Sequence, residues 1–515
     1  MRNRFWLSVW TLVGVVVGLA AGSCGADDVD SARAANWHQW RGPDATGTAR
    51  QGDPPTKWDE QTNIKWKVAI PGRGTSTPIV WGDRIFILTA IKTDRQAAPA
   101  EDTAARVPDG RFRFAAVANG EASDSPSSER TVVRLAQLGD GEQPAAEAEP
   151  ERRRRGEGRG EGRGRGGFGR GRFGFGRAEP PTNFHQFVVL CLDRRTGETL
   201  WQRVANEAVP HEGHHQTGSF AAGSPITDGQ YVYAFFGSYG IYCYDMDGDL
   251  KWSEDLGDMR TRNSFGEGTS PALHGDTLVV NWDHEGESKI YALDARTGDV
   301  KWEKPRDEQT TWNTPLVAEY NGRTQVIANG TKRVRSYDLA TGELLWECGG
   351  QTDNPIPSPM RLDDLAICVS GFRGYAAYAI PLGSTGDLTD TDQPAWRLDK
   401  GTPYVSSAAL VGDRLFFTKD RSGIMSCVNA RSGEVIIDQK RLPGLDDIYA
   451  SPVSAAGRVY FTGRNGNTVV VDAAADELRV LAENHLDETI DASPAIVGRE
   501  MFIRGEQSLY SIAAE

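Results

Sequence analysis

The chain is poor in cysteine and methionine, with six of each in 515 residues, and no two cysteines are adjacent or spaced as C-x-x-C. A C-x-x-C-H haem attachment site is thereby excluded. Cys191, Cys243, Cys348, Cys368 and Cys427 fall mostly in apolar strand-like runs and are expected as buried thiols. No G-x-S-x-G elbow, P-loop or Rossmann glycine pattern occurs in a credible context. Beyond residues 5–22 no apolar run is long enough to span a membrane. Basic residues are outnumbered, 57 against 71, and the net charge of −14 argues against nucleic-acid binding over the whole surface. One stretch departs from that average: residues 151–177 hold ten Arg and three Glu.

The first residues, MRNRFWLSVWTLVGVVVGLAAGSCGADD, read as a basic start, an apolar run and small residues, the pattern of an export signal. Residues 1–26 are therefore expected to be a signal peptide, or a lipoprotein signal or anchor, with Cys24 as the candidate lipidation site. Either way the rest of the chain is expected outside the cytoplasm, in the periplasm or at the outer membrane. Residues 27–62 are read as a linker.

What the sequence has in abundance is repetition. A Ser-Pro or Thr-Pro pair recurs before a short apolar run at Thr77, Ser224, Ser270, Thr314, Ser358, Ser451 and Ser493, and Ser407-Ala408 fills the one gap. From Ser224 onward the spacings are 46, 44, 44, 49, 44 and 42 residues. Each unit holds four short strand-like runs and two turns, which predicts propeller blades, eight in all. The turns LDRRTGETLW, LDARTGDVKW and YDLATGELLW match one another. Asp can bond the turn backbone, and Gly takes a positive φ there. The Trp that follows is placed to fill the seam between blades, so Trp66, Trp201, Trp252, Trp302, Trp346 and Trp396 are expected to be structural docking residues. Units six and seven lack it, which predicts weaker seams. The last unit ends after three strands, and residues 63–69, NIKWKVA, are expected to add the fourth and close the ring. The propeller is thus expected over 63–515, interrupted by a low-complexity Arg/Gly-rich insertion at 91–184 between the second and third strands of the first blade. Within that insertion, 111–116 and 130–135 are the only hairpin-like runs.

The repeated D-x-x-T-G-x-x-x-W turn with its Ser-Pro partner resembles the tryptophan-docking repeat of pyrroloquinoline-quinone (PQQ) propellers. That resemblance implies an all-β, eight-bladed fold of four-stranded antiparallel blades. It also implies two functional branches: quinoprotein alcohol and sugar dehydrogenases, and the BamB-type lipoprotein of outer-membrane protein assembly. The dehydrogenase branch implies PQQ on the axis, often against two adjacent disulfide-bonded cysteines, and Ca2+ held by Glu and Asn. The adjacent cysteines are missing here. The sequence therefore favours a non-catalytic envelope scaffold or adaptor for protein partners, a monomeric propeller without a cofactor and without nucleic acid, attached to a membrane only through its N-terminus. A PQQ- and Ca2+-dependent dehydrogenase is the alternative, and a carbohydrate or metal binder is the second alternative. Ligand-binding candidates are the polar groups of the inter-blade loops: Arg262 and Glu267, then Trp312 and Asn313, then Asp447 and Tyr449. His211, His214 and His215 in HEGHHQTGSF are candidate metal ligands, though H-E-G-H-H in a Gly-containing loop is not the helical H-E-x-x-H.

Overall fold

The computed structural model of the protein describes residues 26–97 and 177–514. Cys24, the apolar N-terminal run, the hairpin-like runs at 111–116 and 130–135 and most of the Arg/Gly stretch lie outside the described residues. One short α-helix, Ala26–Ala34, precedes the strands. No helix among the described residues is long and apolar enough to cross a membrane.

The strands form eight sheets of at least four antiparallel strands, an eight-bladed β-propeller. Blade one is Ile79–Trp81, Arg84–Gln96, Asn183–Asp193 and Thr199–Ala208. Blades two to seven follow in chain order, beginning at Ile226, Ala272, Leu316, Met360, Ala409 and Val453. Blade eight takes Ala495–Val497, Glu500–Arg504 and Ser508–Ile512 from the C-terminus and its outer strand, Ile64–Ala69, from the N-terminus, with Trp66 opposite Ser511. Middle strands lie between neighbouring blades and are apolar on both faces: all six residues of Leu365–Ser370 are buried. Outer strands have one wet face, and Ile64–Ala69 alternates accordingly. Blade four carries a fifth strand, Gly386–Asp387, parallel to Trp346–Glu347.

The strands flanking the insertion run further than the sequence suggested. Arg84–Gln96 and Asn183–Asp193 stay paired out to Gln96 opposite Asn183. Residues such as Ile91 and Phe184 thus belong to the strands of blade one, where the sequence placed them in the insertion.

The Ser/Thr of each repeat proves to be a link in a ring. The backbone N–H of Thr77 donates to Ser224 Oγ (2.9 Å), Ser224 to Ser270 (2.8 Å), and Ser270 to Thr314 Oγ1 (3.2 Å). Thr314 continues to Ser358 (3.1 Å), Ser358 to Ser407 (3.0 Å), Ser407 to Ser451 and Ser451 to Ser493 (both 2.9 Å). In the first seven blades this backbone donor is thus satisfied by the next blade's hydroxyl, whereas between blades eight and one the link is missing and the buried Thr77 Oγ1 has no hydrogen-bond partner. Ser407 keeps its hydroxyl although its Pro is lost, which identifies the hydroxyl as the part of the motif that joins the blades. Ser407→Ala will leave the buried Ser358 N–H without a partner and lower stability by about 1–3 kcal/mol, read as a shifted urea midpoint.

The tryptophans dock as expected, with one variation. Trp66, Trp201, Trp252, Trp302 and Trp396 each donate Nε1–H to a turn carbonyl of the next blade at 2.8–3.0 Å. The turn glycine serves this contact as well as its φ: a Cβ on Gly248 (φ +82°) would lie 2.7 Å from the Trp201 ring. Trp346 instead donates to Gln325 Oε1 (3.1 Å), and Gln325 Nε2 reaches the Leu382 carbonyl (3.0 Å). Blade five has no D-x-x-T-G turn at that place, so Gln325 relays the contact.

The stretch 27–62, expected as a linker, is packed against the propeller. Trp37, Arg41 and Trp58 are buried. The segment runs across the first-turn ends of the innermost strands and accepts their free N–H groups: Val80 to Trp37 O, Thr227 to His38 O, Leu410 to Thr46 O, and Ser454 to Gly47 O. An innermost strand is a sheet edge, and its buried donors need such partners. The same strap carries Trp58 onto Tyr460 (rings 6.2 Å apart), into the apolar cluster that holds Ala482 and Tyr510. Blade seven lacks a docking Trp, and the strap brings an aromatic ring to that seam.

Candidate functional site

Loops entering the innermost strands, together with loops between second and third strands, surround an axial cavity of about 510 Å3. Its floor is Trp40 of the strap and the hydroxyl ring, including Ser358, Ser407 and Ser451. Phe265, Trp312, Phe372, Tyr404 and Tyr449 contribute aromatic wall. Phe372 and Tyr404 stack with centroids 4.8 Å apart. Trp312 is fixed by its Nε1 donating to the Gly266 carbonyl at 2.7 Å. Three arginines line the wall. Arg262 Nη1 donates to Asn354 Oδ1 at 2.8 Å, and the Arg373 guanidinium lies 5.0 Å from the Phe372 ring. Arg421 donates to the Tyr449 hydroxyl and lies 3.8 Å from Asp447. The chain re-enters the described region beside this wall, with Arg177 Nε on Ser264 Oγ (2.8 Å) and Ala178 N on the Asn263 carbonyl (2.9 Å).

Arg262, Glu267, Trp312 and Tyr449 therefore come together on the cavity, as does His215. Asn313 is not among its lining residues: it is fully buried and exchanges hydrogen bonds with Asn329. Asp447 is also outside the lining, half-exposed between Arg421 and Arg464. The three histidines point to different partners. His211 contacts the Met259 carbonyl (2.8 Å), His214 the His215 carbonyl (2.7 Å) and His215 the Thr217 hydroxyl (2.7 Å). Burial lowers the pKa of His214 and His215, favouring neutral rings. Among the described residues no group of three or more His, Cys, Asp or Glu is placed to hold a metal ion. Sequence reasoning missed Trp40, Phe372, Arg373, Tyr404 and Arg421. The one signal was position, since all but Trp40 fall in loops between strands.

Residues 185–439 match the family model described as outer membrane protein assembly factor BamB. The match spans just under half of the chain. The quinohemoprotein alcohol dehydrogenase of Comamonas testosteroni is 9% identical, with a TM-score of 0.54 over 95% of this chain and 83% of that one. A europium-containing methanol dehydrogenase is 10% identical, with a TM-score of 0.53 over 95% of this chain and all of the other. BamB from Moraxella catarrhalis is 12% identical, covering 65% of this chain and 89% of that one, with a TM-score of 0.45. These likenesses concern the fold. Comparison with curated proteins gave no match.

Do the residues of this eight-bladed propeller suit the PQQ that the sequence resemblance implies? Arg262, Arg373 and the aromatic walls suit a planar, carboxylate-bearing quinone. The Ca2+ that accompanies it is not suited, because it takes roughly six to eight oxygen ligands, carboxylates among them. Of the lining carboxylates, Asp491 is held by Arg464 at 2.6 Å. Glu267 is turned onto Ser238, accepting from its backbone N–H (2.7 Å) and its hydroxyl. Asp420 alone remains, within 3.3 Å of the Tyr375 hydroxyl. The five described cysteines are buried in strands, none of them lines the cavity, and none is disulfide-bonded. The PQQ–Ca2+ pair does not fit this residue set.

Burial pushes the Glu267 carboxyl up to about 7, outweighing its two hydrogen bonds from Ser238. Its pKa is thus higher folded than unfolded, so the folded state holds the extra proton. Stability will fall as pH rises from about 4.5 through 7, where the folded carboxyl must lose that proton. Glu267→Gln will flatten this part of the profile, measured as urea midpoints from pH 5 to pH 8. An unchanged slope would show that another group is responsible.

Proposed function

We propose that this eight-bladed propeller is an exported, non-catalytic scaffold or adaptor of the cell envelope, which grips a partner segment in its axial funnel. The observation that carries this reading is the funnel's lining: three arginines and several aromatic faces line it, while two of its three carboxylates, Glu267 and Asp491, are held by neighbours. Such a surface recognises a protein segment with acidic and apolar side chains. The match to the assembly-factor model supports an outer-membrane role, and the export-type N-terminus with Cys24 supports attachment on the periplasmic side. The propeller acts as a monomer, since ring closure leaves no open blade.

A photo-crosslinking amino acid at Trp312, in cells, is expected to capture an envelope protein, while one at the rim residue Leu250 will not. Reversing charge with Arg262→Glu should weaken that partner's binding at least tenfold, about 1.4 kcal/mol. Purified protein given PQQ and Ca2+ should show no saturable heat by calorimetry and no dye reduction with alcohols or sugars. Turnover would replace the scaffold with a quinoprotein. Stabilisation by a sugar or by Zn2+ without turnover would replace it with a small-ligand binder.

A further inference from the structure

The funnel is a dead end, which limits the part of a partner it can take. Residues 37–47 of the strap close it below. Trp37 and His38 hold blades one and two through Val80 and Thr227, and Thr46 and Gly47 hold blades six and seven through Leu410 and Ser454. Between them Trp40 Nε1 donates to Ser358 Oγ at the start of blade five (3.1 Å). Arg41, 5.9 Å from the Trp40 ring, donates to the Ala408 (2.6 Å) and Pro452 (2.8 Å) carbonyls, and no carboxylate pairs with it among the described residues. Burial lowers its pKa only to about 9, so it stays charged at neutral pH and adds positive potential under the floor. A chain cannot thread such a cavity. Its volume, about 510 Å3, suits a short segment and falls far below that of a folded domain.

The wall is positive and apolar together. Arg262 and Arg373 line it, and neither is paired with a carboxylate among the described residues. Both keep accessible surface, Arg262 half-buried and Arg373 exposed. Burial raises the pKa of the Tyr404 hydroxyl, and Arg421 and Arg262 both pull it back, so two guanidiniums from different blades act on one ring. That ring stacks on Phe372, which in turn carries the Arg373 guanidinium at 5.0 Å. Arg373 has a left-handed backbone, φ +56°, which Gly or Asn takes with less strain. Asn263, Asn354 and Asp420 line the same cavity with φ of +52° to +53°. Strained positions of this kind gather at binding sites, where the fold fixes a side chain for its ligand.

We infer that the funnel takes the C-terminal end of a partner polypeptide, with the α-carboxylate on Arg262 and Arg373 and an apolar last side chain against Trp312, Phe372 and Tyr404. An amino terminus carries the wrong charge for three guanidiniums, and an internal segment has no end to place in a closed cavity. A guanidinium holds a carboxylate through charge-assisted hydrogen bonds, and capture of a terminal carboxylate is a recurring mode of peptide recognition. This inference rests on the scaffold reading and names the part of the partner that is gripped.

Mass spectrometry of the adduct formed by the Trp312 crosslinker should place the bond among the final residues of the captured protein. A crosslink to an internal residue would overturn the C-terminal inference and leave the scaffold standing. No capture at all would remove the scaffold with it. In vitro, the whole exported protein is immobilised at neutral pH and offered pools of random acetylated hexapeptides. One pool has free acids, one has C-terminal amides, and one has amides with a single internal Asp, which carry the charge without the end. Retention of the free acids should exceed that of both other pools by about tenfold. Arg373→Gln, at an exposed position where the fold is undisturbed, should remove most of that preference. Equal retention of acids and amides, or of terminal and internal carboxylates, would sink the inference, and so would a preference that survives Arg373→Gln.

Discussion

Replacing Trp346 with Ala will lower stability by about 3–5 kcal/mol, the range for a large buried aromatic truncated to a methyl group. The ring is 1% exposed and packs in one apolar cluster with Cys368, Tyr378 and Leu388. Its loss opens a cavity at the seam between blades four and five. The hydrogen bond matters less, because Gln325 Oε1 also accepts from the Ser336 hydroxyl at 2.7 Å. Trp346→Phe should therefore recover most of the loss. The added strand at Gly386–Asp387 pairs with Trp346 itself and should fray in the Ala variant. Urea midpoints test the first claim, and hydrogen exchange across residues 384–391 tests the second.

Asp283→Ala will cost a similar amount, about 3–5 kcal/mol, because it strands a charge. Arg306 and Asp283 are wholly buried, joined by Nε–Oδ1 at 2.7 Å and Nη2–Oδ2 at 3.1 Å. Burial works against the charge on Arg306, yet Asp283 more than offsets it and the pKa is raised. Tyr337 and the Asn329 carbonyl complete the guanidinium's bonds. Without Asp283 the cation keeps those neutral partners and loses its directly bonded counter-ion; the nearby Glu308 carboxylate is paired with Arg335. Replacing both residues by apolar ones of similar volume should cost less than Asp283→Ala alone, and a double-mutant cycle will show it. The pair also positions the funnel. Asp283 Oδ2 accepts from the Thr311 hydroxyl at 2.8 Å, next to Trp312 on the cavity wall. Asp283→Ala should therefore reduce crosslinking from Trp312, an effect that Trp346→Ala will not share.

The blade count and the partner of the last blade were legible in the sequence. Each follows from a local pattern, strand lengths and turn chemistry, that recurs at a nearly constant spacing. The docking tryptophans were legible for the same reason, and so was the turn Asp, which accepts from the turn backbone in Asp193 and Asp294. The Ser-Pro pair was recognised, but the work of its hydroxyl was not, because its partner N–H lies in another blade some 44 residues away. Asn313 and Asp447 sit in inter-blade loops as expected, yet neither side chain faces the funnel. Loop position is a matter of chain order, whereas side-chain direction is set by contacts the repeat does not encode: Asn329 holds Asn313, and Asp447 lies between Arg421 and Arg464.

By itself, the sequence determined the repeating unit and the closed ring, because these rest on interactions between residues near in the chain or on copies of one motif. Only the tertiary structure decided that residues 37–58 cross the disc, that Trp40 floors the funnel and that Arg41 lies uncompensated beneath it. Those facts arise where a segment occurring once meets the inner edges of many blades. No period in the chain encodes such a meeting; it exists only when the ring has closed and its unpaired donors face one another.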